Sequence, residues 1–515
     1  MTIEMGILKE HGMKEIRLFL IIISAIVSFL CFPPFPFGPL IFIALVPLLL
    51  AIEDLSPVAA LKYGFLWGIV FYTGLVYYIA WVTAPGMIAT VLILSLIPAT
   101  AAWFFVRLLY RNRGTALVFF PMYFIMWNWL FTKSDLNYPW TDIGYALSYY
   151  GEMIQAAEIG GVYLLSLFIL ATNVIIYASI SEKFALSKKS RRNLICLSAL
   201  LVISLQVYGW VRIPRFEDEP RGRKLDVGIL QGNMTRDIKW EPGNLYENFE
   251  RYFSLSRKAA EARAQLIIWP ETAIPEYVLQ KKTYHEMMRS FIDSLGVPVL
   301  TGIPYYQSVA QGEYIFFNSA ALLRPGTDDY QVYFKNHLVP VSEKIPFRER
   351  FKILKEIRLG QADWSNGQEQ TIFDLDNYKF ATVICFESVF PGYCREFARK
   401  GAQFLVVITN DMWFGRTSLL EQHAMMSVFR AIENRIPVVR SANTGISMAI
   451  DKWGRILVKS GIFDVEYLMV DIFPENSHSI YGGVGDVIPR GATVLSIISI
   501  AVALFRRRRY NTEEL

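Results

Sequence analysis

The sequence predicts two architectures in one chain: a multi-span α-helical membrane part and a layered α/β globular part. Composition gives the first clue. Of 515 residues, 53% are hydrophobic and only 19% are charged, against about 25% charged in soluble domains. The apolar excess is concentrated before residue 213 and after residue 490. The second clue lies between those limits, where short β-rich runs alternate with amphipathic helical ones. The expected organisation is a membrane domain over 1–212 with seven spans, a globular domain over 213–490, and an eighth span with a basic tail over 491–515.

In chain order, the candidate spans are residues 16–32, 40–52, 61–82, 87–110, 115–131, 159–179, 194–211 and 492–505. About 20 apolar residues in a helix cross the hydrocarbon core of a bilayer, so 40–52 is short. Pro33-Pro34-Phe35-Pro36 ends the first span. Lys9, Lys14 and Arg17 give the N-terminus the basic start of a secretory leader. No small-x-small cleavage site follows, so an uncleaved span is predicted. The span centres hold almost no ionisable residues, which argues against an ion-coupled transporter. The stretch 138–153 is rich in Tyr and Trp, and such aromatics are expected at headgroup level.

Charge placement sets the orientation. With the N-terminus in the cytoplasm, three groups fall on the cytoplasmic side: Arg107, Arg111 and Arg113; Lys183, Lys188, Lys189, Arg191 and Arg192; and the arginine run 506–509. The opposite loop 137–152 contains no Lys or Arg. This bias satisfies the positive-inside rule. Both termini are therefore expected in the cytoplasm, and 213–490 outside it, away from cytoplasmic nucleotides. The net charge of +5 belongs to these membrane flanks, so no nucleic-acid partner is implied. Four cysteines make no disulfide framework. Cys31 and Cys196 lie in apolar runs. A Cys385–Cys394 bridge is conceivable outside the cytoplasm, but it would block the thiol discussed next.

In the globular part, strand candidates are 225–230, 266–269, 297–302, 318–323, 380–385, 404–409, 438–442 and 468–472. Helix candidates are 245–264, with Leu245, Phe249 and Phe253 four residues apart, and 420–434. Several strands are apolar at nearly every position, as in sheets covered on both faces. Three runs end in reactive residues. Leu266-Ile267-Ile268-Trp269 delivers Pro270-Glu271, Ala381-Thr382-Val383-Ile384 delivers Cys385-Phe386-Glu387, and Leu405-Val406-Val407-Ile408 delivers Thr409-Asn410-Asp411. Functional groups in α/β sheets gather past the carboxyl ends of strands, so these ends point to one site.

A thiol attacks carbonyls only as thiolate. Glu271 could take its proton. Lys335, alone in the apolar stretch 333–340, could stabilise the oxyanion that forms. Taken singly, each residue has an ordinary alternative: a buried structural Cys, a solvated turn Glu, and packing roles for His337 and His423.

The set is more specific than its members. Trp269-Pro270-Glu271, Lys335 and Ile384-Cys385-Phe386-Glu387 resemble the Glu-Lys-Cys signature of the nitrilase superfamily. Gln231-Gly232-Asn233 with Lys239-Trp240, Lys335-Asn336-His337-Leu338-Val339-Pro340 with Glu343, Thr409-Asn410-Asp411-Met412-Trp413-Phe414-Gly415 with Gln422-His423, and Asn443-Thr444-Gly445 extend the likeness. With the flanking spans, essentially the whole chain resembles the bacterial apolipoprotein N-acyltransferases.

The resemblance implies an αββα sandwich on about eight spans at the outer face of the inner membrane. It implies a reaction without cofactor or metal. Cys385 would attack the sn-1 ester of a phospholipid, typically phosphatidylethanolamine, with Glu271 as base and Lys335 holding the oxyanion. The acceptor would be the α-amine of an S-diacylglyceryl cysteine at the N-terminus of an apolipoprotein. Glu343 matches a supporting acidic position. Trp240, Phe386, Glu387, Asn410 and His337 fall at supporting or substrate-binding positions. Members often carry Tyr where this chain has Phe386, so a hydroxyl is missing there. A monomer is expected.

Two other functions share parts of this pattern. A membrane-tethered amidase would use the same three residues, but a single span would suffice as its tether. A lipid carrier would not need Cys385. The stretch 345–365, with Phe347, Phe351, Ile353, Leu354, Ile357 and Trp364, is either a lid dipping into the interface or a peripheral amphipathic helix.

Overall fold

The computed structural model describes residues 2–214, 223–235, 244–310, 312–348, 350–351 and 364–505. Helix starts follow the local sequence. Ser56, Thr83, Asn112 and Ser187 each accept a hydrogen bond from a backbone amide of the helix that follows, the ordinary use of small polar residues at helix N-termini. The helices so begun are α3 (Pro57–Val76), α4 (Ala84–Leu109), α5 (Arg113–Phe131) and α8 (Lys188–Arg212). With them lie α1 (Thr2–Leu30), α2 (Val46–Ile52), α6 (Ala157–Gly160) and α7 (Val162–Ile180). Small residues let α3 and α4 pack closely. A Cβ on Gly64 would fall 2.5 Å from the Pro98 carbonyl, and one on Gly68 would fall 2.7 Å from Ser95 Cα. Such contacts substitute for hydrophobic drive between helices in lipid.

Eight spans were expected. Among the described residues, six helices are long and apolar enough to cross a membrane. The helix Thr2–Leu30 is a seventh long one, charged at Lys14, Glu15 and Arg17. Segment 40–52 is different. It forms a 3₁₀ turn, Gly38–Phe42, and then only the short α2. Asn173 of α7 bonds the backbone where the segment breaks, accepting from Leu45 N at 2.9 Å and donating to Ile41 O at 2.8 Å. A side-chain amide thus supplies what a continuous helix would have supplied.

The bundle has two unlike ends. At one, Arg107 and Arg111 donate to the carbonyls of Ala503 and Val502, Arg113 to that of Lys183, and Lys183 pairs with Asp54. At the other, Val162 N donates to Glu433 and Trp129 Nε1 to Asp486. The globular part sits on this second end.

That part has two six-stranded sheets. The first contains β1 (Leu225–Gln231), β2 (Leu266–Ile268), β3 (Val299–Ala310), β4 (Glu313–Leu323), β5 (Tyr330–Phe334) and β12 (Glu466–Ile472), in the order β12-β1-β2-β3-β4-β5. The second contains β6 (Ile372–Leu375), β7 (Tyr378–Ile384), β8 (Phe404–Thr409), β9 (Val438–Ala442), β10 (Met448–Ile450) and β11 (Ile456–Lys459), in the order β11-β10-β9-β8-β7-β6. The sheets face each other, and Ser441 of β9 donates to the Leu230 carbonyl of β1 at 2.8 Å.

Helices α9 (Leu245–Glu261) and α10 (Lys282–Leu295) cover one outer face, with Phe253 stacked on Phe291 at 3.7 Å. Helices α11 (Pro391–Arg399) and α12 (Leu419–Asn434) cover the other. This is the αββα sandwich that the resemblance implied. Every residue of α12 except Glu421 is buried, because it lies between the second sheet and the bundle. After α13 (Ile480–Val484) the chain leaves along α14 (Val487–Phe505). Large apolar side chains on α8 and α14, such as Leu200, Ile203, Ile497 and Ile498, are exposed, as on helices that face lipid.

Candidate active site

Three residues past β2, Glu271 emerges at the carboxyl edge of the first sheet. Trp269 fastens this turn, its Nε1 donating to Ser256 of α9 at 2.9 Å. Gly302 of β3 lies directly against it. A Cβ there would sit 2.6 Å from Glu271 Cα and from Thr272 N, so the backbones approach only because the residue is Gly. The Glu271 carboxylate is held at both oxygens. Oε1 accepts from Asn318 Nδ2 at 2.7 Å, and Oε2 from the Asn410 amide at 2.9 Å.

Lys335 follows β5. Its side chain is 1% exposed, and Nζ lies 2.9 Å from Glu343 Oε1 and 3.5 Å from Glu271 Oε1. Burial disfavours the ammonium. The charges of Glu343 and Glu271 outweigh it and raise the pKa above the ordinary lysine value. Lys335 is thus a fixed positive charge between two carboxylates. Glu343 is itself oriented by the Val339 amide, 2.8 Å from Oε2.

Cys385 follows β7 and begins the 3₁₀ turn Cys385–Val389 with φ of +52°. A non-glycine residue held there costs about 1–3 kcal/mol and persists only where its surroundings fix it. Glu387 is one such fixture. Its Oε2 accepts from Ile384 N at 2.8 Å, and its Oε1 from Asn336 N, His337 N and Tyr333 OH at 2.6, 3.0 and 2.7 Å. One buried carboxylate thereby ties the Cys385 turn to the loop after Lys335. Burial raises the Glu387 pKa to about 7, while these hydrogen bonds hold it down. Burial and the Glu271 charge push the Cys385 thiol up, against a smaller pull from Lys335. The resting sulfur is a protonated thiol within the field of a carboxylate that could receive its proton.

Behind the thiol, Asp411 accepts from Arg440 Nη2 at 2.7 Å and Thr409 Oγ1 at 2.9 Å, and lies 3.0 Å from His423 Nδ1. Burial opposes its charge, but Arg440 and His423 hold the carboxyl well below its ordinary range. Cys385, Asp411 and His423 bring donor atoms within 4.8 Å of one another, a minimal metal-ligand set. Because Arg440 already supplies positive charge to that carboxylate, the group suits a hydrogen-bonded network better than a cation.

The structure brings Glu271, Lys335, Glu343 and Cys385 together, with Asn410 on Glu271 and Glu387 beneath the turn. Phe386 is buried and packs edge-on against Phe390 at 5.1 Å. His337 contributes its backbone amide. Its ring stacks on Phe390 at 4.5 Å, and burial lowers its pKa to about 4, so it is neutral at pH 7. Cys394 is a free, buried thiol beside the Glu387 and Ser388 carbonyls. Trp240 and most of 345–365 lie outside the described residues.

Asn318, which holds both Glu271 and Glu343, was not singled out from the sequence. Its signal was a polar amide directly after Phe316-Phe317, inside a strand. Of the aromatics of 138–153, Trp140 and Tyr145 pack against α12 of the globular part. Both are buried. Trp140 Nε1 donates to Gln422 at 2.8 Å, and its ring lies 5.3 Å from that of His423.

Two family models match the chain. One described as Carbon-nitrogen hydrolase matches residues 226–480, and one described as Apolipoprotein N-acyltransferase N-terminal domain matches residues 24–175. An apolipoprotein N-acyltransferase from Geobacter metallireducens is 32% identical over 504 residues, covering 95% of each chain. One from Chlorobaculum tepidum is 29% identical, over 95% of this chain and 97% of the relative. Among solved structures, an amidase from Nesterenkonia sp. is 18% identical with a TM-score of 0.38, over 50% of this chain and 93% of that one.

Proposed function

This chain belongs to the apolipoprotein N-acyltransferase family, and from that premise we propose a ping-pong acyl transfer through a thioester on Cys385. Glu271 takes the thiol proton as sulfur attacks the sn-1 ester carbonyl of a phospholipid. Charge builds on the carbonyl oxygen beside the Lys335 ammonium, which Glu343 holds in place. On collapse, the lysophospholipid oxygen leaves with the proton from Glu271. The α-amine of an S-diacylglyceryl cysteine then attacks the thioester, Glu271 takes a proton from that amine, and the departing thiolate recovers that proton from Glu271. Asn410 and Glu387 orient these groups, while Phe386 and His337 line or support the site; Trp240 is assigned a supporting role by its sequence position alone.

The observation that carries this reading is the buried Lys335 ammonium, shared by Glu271 and Glu343 beside a half-buried thiol. A fixed cation in a water-poor site stabilises an oxyanion more than it would in water. We assign phosphatidylethanolamine as donor and a diacylglyceryl apolipoprotein as acceptor. We place the chain in the inner membrane as a monomer with both termini in the cytoplasm, and the domain of 213–490 facing outward between the spans of 1–212 and 491–515. The clustering of Arg107, Arg111, Arg113 and Lys183 at the bundle end remote from the sheets supports that orientation.

Purified protein incubated with phosphatidylethanolamine vesicles should gain one fatty acyl mass at Cys385. A diacylglyceryl peptide should discharge it, and Cys385→Ala should show no adduct. Turnover of small amides with no acyl adduct would favour the amidase instead.

A further inference from the structure

Cys385 occupies a strained backbone position, and its peptide is gripped on both sides. Glu387 holds the amide of Ile384 before it. After it, the Cys385 carbonyl accepts from Ser388 Oγ at 2.8 Å and faces His423 Nε2 at 3.2 Å. The His423 ring is 2% exposed and lies against Trp140. Its Nδ1 is 3.0 Å from Asp411 Oδ1 and 3.1 Å from Arg440 Nη2, and its Nε2 is 3.0 Å from Ser388 Oγ.

The Ser388 donation to the Cys385 carbonyl constrains the His423 tautomer. With the Ser388 hydroxyl proton directed at the Cys385 carbonyl, Nε2 faces only acceptors: that carbonyl and the Ser388 lone pairs. Nε2 therefore carries hydrogen. On the other side, Nδ1 can accept from Arg440 or donate to Asp411, and both arrangements leave Nε2–H in place. Burial and Arg440 lower the His423 pKa, against an opposing pull from Asp411.

We infer that His423 is a positioning residue for the nucleophile: its Nε2–H holds the Cys385 carbonyl and so the left-handed turn that presents the thiol. Arg440 and Asp411, the charged groups facing its other nitrogen, fix the ring. Neither His423 nor this network takes a proton from substrate, so its contribution is geometric. The inference rests on the reading of Cys385 as nucleophile.

The full-length protein in phospholipid vesicles tests it by single-turnover acylation, read by intact mass. In His423→Gln, the amide nitrogen reaches the Nε2 position and can donate to the carbonyl. In His423→Asn, the amide nitrogen sits at the Nδ1 position, keeps Asp411 and leaves the carbonyl. A displacement of about 1 Å can cost about 100-fold in rate. Acylation should therefore slow about 10- to 100-fold in His423→Asn and stay within about fivefold of wild type in His423→Gln. Melting temperatures should match, and half-saturation by phospholipid should not change. Equal acylation rates in the two variants overturn the inference. Cys385→Ala separates the levels: an acyl adduct that survives it overturns the nucleophile reading itself. If both His423 variants fail to fold, Ser388→Ala carries the test. Slower acylation at unchanged melting temperature supports the clamp, and unchanged acylation overturns it.

Discussion

Replacing Glu271 with Gln isolates the proton transfer from the architecture around it. The structure accommodates the substituted amide well. Its carbonyl can still accept from the Asn410 amide. Its new NH₂ can meet Asn318, whose Oδ1 is buried with no partner among the described residues and becomes the acceptor if that amide flips. Lys335 keeps Glu343 at 2.9 Å. What disappears is the proposed base. A positioned general base is worth about 10²- to 10⁴-fold, so acylation should fall by about 10³-fold.

The pH profile distinguishes this loss from simple damage. In the proposed reaction the thiol proton passes internally to Glu271, so wild-type acylation should be flat from about pH 6 to 9. In Glu271→Gln the thiol must ionise to solvent. Burial, the largest cause of its elevated pKa, remains, so that window stays below the thiol pKa. The residual rate should then rise about tenfold per pH unit. Single-turnover acylation by phosphatidylethanolamine, followed by intact mass across that range, gives both numbers. A variant profile as flat as the wild type, or a loss under about tenfold, would refute Glu271 as the base.

Lys335→Met should abolish acylation and also lower stability by about 3 kcal/mol, because Glu271 and Glu343 are left as facing, uncompensated carboxylates; acylation and thermal melting in detergent report the two effects. Gly302→Ala should force the Glu271 turn aside, since the new Cβ meets the backbone of Pro270, Glu271 and Thr272, and acylation should fall about 100-fold. Asp411→Asn should cost about 3 kcal/mol at pH 7 by leaving Arg440 unpaired. The Asp411 carboxyl is held below its ordinary value when folded, so its contribution is present above the unfolded pKa of about 4 and is lost as pH falls through the folded value. The stability gap between Asp411→Asn and wild type should therefore close progressively below about pH 4 in denaturant titrations.

The apolar strands were the most legible part of the fold. Phe404–Thr409 and Val438–Ala442 have the bounds that their hydrophobic runs suggested. Tyr330–Phe334, Ile372–Leu375, Met448–Ile450 and Ile456–Lys459 are not legible as strands in the sequence. Tyr330–Phe334, Ile372–Leu375 and Ile456–Lys459 are short edge strands, half open to solvent, and their residues are mixed where buried strands are apolar. Met448–Ile450 is buried but only three residues long, too short to show a period. Segment 40–52 reads as a span because composition reports apolarity, while Asn173, which bonds the backbone at its break, lies 128 residues away. In the site, strand-end chemistry exposed Glu271, Cys385 and Asn410. Asn318 and Trp140 were hidden because each acts through a partner distant in sequence.

Trp140 also bears on why so large a membrane part accompanies this domain. A tether needs one span, and it would leave the αββα sandwich free of the bundle. Here the bundle forms one wall of the site. Gln422, next to His423, accepts from Trp140 and donates to the Pro33 and Leu75 carbonyls. Ser418 N donates to Tyr77 OH, and Phe414 packs edge-on against Tyr78 at 5.9 Å. The turn that carries Asn410 and Asp411 and the start of α12 that carries His423 are therefore fixed against the ends of membrane helices. In the proposed reaction the acyl chain stays in lipid while its carbonyl reaches sulfur. A site assembled from both halves meets that requirement, because neither the thiol nor the membrane surface has to move toward the other.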